Sequence, residues 1–180
     1  MVEVLSFNLS QVMELRSKFL TPQCIKSALS HNFAGNIIVN LANLPDFLRK
    51  PILKKRMEEF FTLTAPDQAE IINNALEAGP TIPFPNFAKL FATWLEILAT
   101  MPEEKRIGLA SAYVFETLRN PQKLILFNLD GILEVFASID KSHQDSIAKS
   151  VQKIFSGLSE GQKKQLFLII PQSAKEKLGL

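Results

Sequence analysis

The chain has 180 residues, 47% of them hydrophobic and 21% charged, with a net charge of +2. A chain of this length buries a sizeable core without disulfide or metal staples, and its hydrophobicity excludes a disordered polymer. So small a charge gives no reason of its own to expect nucleic acid or an anionic membrane as partner.

Other compositional features narrow the class further. Cys24 is the single cysteine, so no internal disulfide forms and a reducing compartment fits. The first residues carry Glu3 and no basic run, unlike a secretory leader. The most apolar stretch, residues 84–101, is interrupted by Lys89 and Glu96, so no membrane span is expected. The expectation is a soluble, cytoplasmic protein. Fourteen Phe against one Trp and one Tyr favour a dry packed interior over a display of binding aromatics.

In chain order, Thr21-Pro22 opens the first helix, because proline suits a first helical turn. Cys24 lies in that turn, where the helix dipole lowers a thiol pKa. His31 is seven residues on, about 10.5 Å along the axis and out of reach as its base. Both read as packing residues. Residues 35–43 are the best strand candidate, although a short buried helix explains their pattern equally well. Pro45 opens a short helix that Pro51 is expected to break or kink. After Pro51, Leu53, Met57, Phe60 and Phe61 form one apolar stripe.

Further starts are marked by Pro66, Pro85, Pro102 and Pro121. Thr64-x-x-Asp67, Thr100-x-x-Glu103, Ser142-x-x-Asp145 and Ser159-x-x-Gln162 have the spacing of capping boxes. Stops fall at Gly79-Pro80, Gly157 and Gly179. Residues 85–100 are apolar nearly all round, which predicts the central helix with Trp94 at the middle of the core. Residues 142–156 show a single buried stripe of Ile147, Val151, Ile154 and Phe155.

Pro66, Pro85, Pro102, Pro121, Asp140 and Ser159 serve as anchors for a rhythm, nearly even along the chain. Two helices thus recur roughly every 36–38 residues, within the range of helix-pair repeats. The expected fold is all-α: one domain over 1–180, with an atypical part over 1–63 and helix pairs over 64–180. A compact multi-helix bundle is the alternative.

Motifs for chemistry are missing from the sequence. Two histidines and one cysteine show no metal-ligand spacing, and no glycine-rich phosphate loop occurs. Glu58-Glu59 and Glu103-Glu104 are neighbours that point about 100° apart on a helix, so neither is a catalytic pair. No catalytic residue, cofactor or metal is assigned. One cluster hints at a partner: Arg49, Lys50, Lys54, Lys55 and Arg56. Lys54–Glu58 and Lys55–Glu59 are four apart, so internal pairing is expected to mute its field. No aromatic residue is interleaved as a stacking platform. Lys163, Lys164, Lys175 and Lys177 form a looser second group.

The expected function is that of a non-catalytic protein–protein interaction or scaffold module, with another protein as partner. The alternatives are a helical sensor for an apolar ligand and a nucleic-acid-binding protein using residues 49–56.

Overall fold

Helix starts set the plan of the molecule. The computed structural model describes residues 35–180, and every regular element among them is helical. Residues 35–43 form α1, so the helical reading of that segment holds. There follow α2 (Asp46–Glu59), α3 (Ala65–Ala78), α4 (Phe84–Thr100) and α5 (Glu103–Arg119). The short α6 (Gln122–Ile125) precedes α7 (Leu129–Ser138), α8 (Lys141–Ser156), α9 (Glu160–Ile169) and α10 (Gln172–Leu178).

The caps at Pro45, Thr64, Pro83, Pro102, Pro121, Asp140 and Ser159 are evenly spaced, with the same interval between each and the next. The anchors read from the sequence were slightly uneven because Pro66 and Pro85 are second helical residues, whereas Pro102 is itself the N-cap. The same phase reaches back to Pro45, inside the segment expected to be atypical. It ends at α10, whose N-cap Pro171 follows Ser159 too closely to keep the interval. An aliphatic or methionine side chain precedes six of the seven regular caps: Leu44, Leu63, Ile82, Met101, Ile139 and Leu158. All six are buried or half-buried and fix the angle at which the chain enters the helix.

Local expectations divide. Ser159 and Gln162 form a full capping box, and Thr64 Oγ1 accepts from the Asp67 amide. Ser142 does not cap. The cap falls earlier, at Asp140, directly after buried Ile139, and Asp145 accepts from Lys141 instead. Thr100 ends α4, its hydroxyl donating to the Ile97 carbonyl. Pro51 does not break α2, which runs through it for 14 residues. The amide that proline lacks would have served the Phe47 carbonyl, and both residues are exposed, where water can take its place. The helix expected from Pro121 is divided into α6 and α7, with Asn128 Oδ1 capping the Gly131 amide at the restart.

A second recurring device joins successive helices. The last carbonyls of any helix lack intrahelical donors. At four of the seven regular caps the fourth residue after the cap carries a long donor side chain that turns back to them. Arg49 Nη1 donates to the Leu44 carbonyl (2.9 Å), and Gln68 Nε2 to those of Phe60 (3.0 Å) and Leu63 (3.3 Å). Arg106 Nη1 serves Ala99 and Met101 (both 3.0 Å), and Gln144 Nε2 serves Ala137 (3.1 Å) and Ile139 (2.8 Å). The two arginines also reach forward: Arg49 Nε to Thr93 Oγ1 (3.1 Å) and Arg106 Nε to Ser150 Oγ (2.7 Å), each spanning 44 residues. Both hydroxyl-bearing residues are buried.

Helix α4 packs against α2, α7 and α8, which makes it the central element as expected. Helix α3 packs on α5, and α5 on α8. The main core includes Leu53, Met57, Phe60, Ile72, Leu90, Leu98, Leu109, Phe136 and Ile147. A smaller cluster of Phe155, Leu158 and Leu166 lies beneath α9, with Leu180 against it. Helix α10 packs on α8, held by Gln152 Nε2 donating to the Leu178 carbonyl (2.8 Å). Gly179 ends it in the left-handed conformation (φ 68°), where a side chain would be strained.

Replacing Arg106 by Ala would strand two carbonyls and remove the donor to Ser150 Oγ, whose own bond to the Ser146 carbonyl stays. The expected cost is about 2–4 kcal/mol, measured by urea denaturation followed through Trp94 fluorescence. A loss under about 0.5 kcal/mol, the ordinary range for surface substitutions, would show that the back-reaching donor carries no stability.

Candidate functional site

The basic residues singled out in the sequence all lie on α2, but they do not act together. Arg49 shares the inward face with Leu53 and Met57 at a spacing of four, and only 2% of it is exposed. Its guanidinium is committed to Thr93, the Leu44 carbonyl and Asp46. Burial pushes its pKa below the ordinary arginine value. Lys50, Lys54, Lys55 and Arg56 are exposed. Lys50 pairs with Glu96 of α4 (2.7 Å), and Arg56 (2.9 Å) and Lys55 (3.8 Å) share Glu59. The expected Lys55–Glu59 pair forms, whereas Lys54 and Glu58 make no ion pair among the described residues.

The same helix carries a feature that charge counting overlooked. Phe47, Leu48 and Ile52 are exposed on α2, Phe47 to 75%. Four exposed cations thus border three exposed apolar side chains. The signal lay in the helical spacing: Phe47, Leu48 and Ile52 fall outside the stripe that starts at Arg49 and continues through Leu53 and Met57.

A polar cluster missed in the sequence joins α3, α5 and α6. Buried Glu116 accepts from Asn73 Nδ2 (2.8 Å) and Arg119 Nη1 (2.5 Å). Lys123 Nζ bridges Asn73 Oδ1 (2.8 Å) and Glu77 Oε1 (2.7 Å). Each carboxylate oxygen of Glu116 has a donor, so the cluster is a clamp between helices rather than a vacant acid–base pair.

Trp94 is not at the centre of the core. It is half-buried in a ladder of rings on one side of α4. Phe87, Phe91 and Trp94 follow at i, i+4 and i+7 and stack in succession, with centroids 5.8 and 5.9 Å apart. Phe127 meets Phe87 at 5.5 Å, and Tyr113 meets Trp94 edge-on at 5.5 Å. Gly79 is needed here, because a Cβ at that position would lie 2.6 Å from the Phe127 ring. Rings this large on a helix side are covered by one another rather than by a further helix, which leaves each partly open to solvent.

Among the described residues, no group of three or more His, Cys, Asp or Glu could hold a metal ion. No helix of them is long and apolar enough to cross a membrane. Cys24 and His31 lie outside the described residues. His143 is half-buried in the first turn of α8, and its buried Nδ1 has no hydrogen-bond partner among the described residues. Comparison with known protein families, curated proteins and solved structures finds no match to this chain.

Two outcomes test this geometry. Arg49→Ala should destabilise the fold by roughly 2–3 kcal/mol, whereas Lys54→Ala should change it by less than about 0.5 kcal/mol. Equal effects in urea denaturation would refute the division of the basic run. Desolvation raises the pKa of Tyr113, the single tyrosine, to about 12. The unfolded phenol ionises near 10. Above pH 10 the unfolded chain therefore binds fewer protons, and stability falls as pH rises toward 12. Absorbance at 295 nm should show tyrosinate forming near pH 12 in the folded protein. Ionisation near 10 with the fold intact would contradict the desolvation of its hydroxyl.

Proposed function

We propose that the protein is a non-catalytic interaction or scaffold module built as an array of helix pairs. The observation that carries the proposal is the even spacing of the N-caps from Pro45 to Ser159. It repeats a pair of helices about every 38 residues, and helix-pair repeats use periods of about 34 to 47 residues. With α6 and α7 counted as one unit, the packing of every second unit supports the same reading: α2 on α4 and α4 on α7, α3 on α5 and α5 on α8. Contacts three units apart also occur, α4 on α8, α3 on α6 and α9 on α5. Arrays of this kind present extended faces to other chains.

The surface fits such a role. Phe47, Leu48 and Ile52 on α2, Ile125 and Leu126 near α6, and Leu168 on α9 are exposed apolar side chains on an otherwise packed molecule. The nucleic-acid reading has less support. Asp46, Glu58, Glu59 and Glu96 sit among the cations of α2. The single aromatic ring of α2, Phe47, precedes the cations instead of lying among them as a stacking platform.

Photo-crosslinking amino acids placed at 47, 125 and 168 in the living cell test the proposal. A discrete adduct with another protein at one position and not at all three is the expected outcome. Absence of any protein adduct from all three positions would refute it.

A further inference from the structure

We infer that the Leu48–Ile52 side of α2 is the seat of this chain's own residues 2–9, so that the array is closed at this end by its own chain and not by a foreign partner. The inference goes beyond the interaction reading and does not rest on it, because it uses only register and spacing.

One register position shows which way the open side looks. Seven residues after each cap stand Ile52, Ile71, Leu90, Leu109, Asn128, Ile147 and Leu166, aliphatic in six of seven cases. Leu90, Leu109, Ile147 and Leu166 are 8% exposed or less. Ile52 and Ile71, in the first two regular units, are 41% and 40% exposed. If later units covered this position, it would be closed in the first units and open in the last. The opposite is seen. Leu166 of the last regular unit is buried, with Val114 and Leu118 of α5 packed in its cluster. The position is therefore covered by chain that precedes it.

The spacing of long-range contacts says which residues those are for Ile52. Side-chain hydrogen bonds between distant helices span from 43 residues, as Asn73 to Glu116, to 50, as Lys123 to Asn73. The bonds of Arg49, Lys50, Arg106 and Gln165 fall between these limits. Leu118 precedes Leu166 by a like amount. Counted back from Ile52, the span falls on residues 2–9, of which Val2, Val4, Leu5, Phe7 and Leu9 are apolar. Counted back from Ile71, it falls on residues 21–28, also outside the described residues and less apolar.

Geometry and charge fit the same occupant. Leu48, one turn before Ile52, is 43% exposed and extends the seat. Phe47 points about 140° away from Ile52, so it lies outside the seat and is left to a partner. Lys55 and Arg56 flank Ile52 and share one carboxylate, that of Glu59, which leaves one positive charge in excess there. Glu3, the single charged side chain of residues 2–9, has the opposite sign. A second copy seated through the same side would set Lys55 and Arg56 against their equivalents, which costs affinity. Residues 10–34 link the segment to α1 and reach about 80 Å when extended, so chain length does not prevent the return.

The test uses the full chain with Cys24→Ser, so that introduced cysteines are the only thiols. Ile52→Cys should react with iodoacetamide at least fivefold more slowly than Ile125→Cys, a larger gap than exposures of 41% and 70% give by themselves. Val4→Ser with Leu5→Ser and Phe7→Ser should raise the rate at position 52 at least fivefold and leave that at 125 unchanged, with the circular dichroism unaltered. A second measurement decides the matter if that variant unfolds. Leu5→Cys with Ile52→Cys should close a disulfide within one chain under mild oxidation, seen as a faster band on a non-reducing gel. Leu5→Cys with Ile125→Cys should not. Equal labelling at 52 and 125, labelling that the serine substitutions leave unchanged in a folded chain, or no disulfide within the chain overturns the inference. So does a disulfide that joins two chains in place of the internal one, which would make a second copy the occupant. Crosslinks to another protein from 125 or 168 bear on the interaction reading alone, so the two fail separately.

Discussion

The carbonyls left free at the end of each helix are the constraint around which this molecule is arranged. Its connections are short: α4 ends at Thr100 and α5 begins at Glu103. So little chain leaves small room for a separate capping motif after each helix. At four starts the following helix supplies the donor itself, one turn inside its own beginning, through Arg49, Gln68, Arg106 or Gln144. The bond fixes the angle between consecutive helices, because a side chain of set length must reach a carbonyl five residues back. Where the donor is arginine, its Nε is left to bind a hydroxyl 44 residues further on, and local capping becomes long-range packing.

That economy decides which parts of the surface are available. Arg49 stands in a run of five cations, yet its charge is spent inward, and Lys50 and Lys55 lean on Glu96 and Glu59. The α2 surface is thus less basic than its sequence and more apolar. The ring ladder of α4 has the opposite character. Phe87, Phe91, Trp94 and Tyr113 look like binding aromatics by composition, but they stack on one another and leave only partial faces to solvent.

Much of this was legible in the residues. Prolines and capping hydroxyls marked the starts of most helices, and the all-helical class followed from dense helix signals and weak strand signals. The phase was blurred because proline suits several neighbouring positions at a helix start, so Pro66 and Pro102 marked different ones. Ser142 and Thr100 have the spacing of caps, but buried Ile139 and the length of α4 decided the true boundaries. Trp94 was misplaced because hydrophobicity around a helix shows that it is surrounded, not which sector its neighbours cover. Arg49 falls in register with Leu53 and Met57, a spacing that points it inward, but its charge placed it with the outward cations in the sequence reading. The Glu116 cluster was not legible, since its members are 43 and 50 residues apart and no local pattern links them.

The regular interval between caps also bears on how such a chain can change length. One extra residue inside a helix rotates everything after it by about 100°, which would carry Arg49 or Arg106 off the hydroxyl it binds. Adding a single helix with its connection keeps the interval but moves the hydroxyl one helix further from the arginine that binds it. An added residue in one of the short connections leaves the phase inside each helix unchanged, which makes those connections the places where length can vary at least cost.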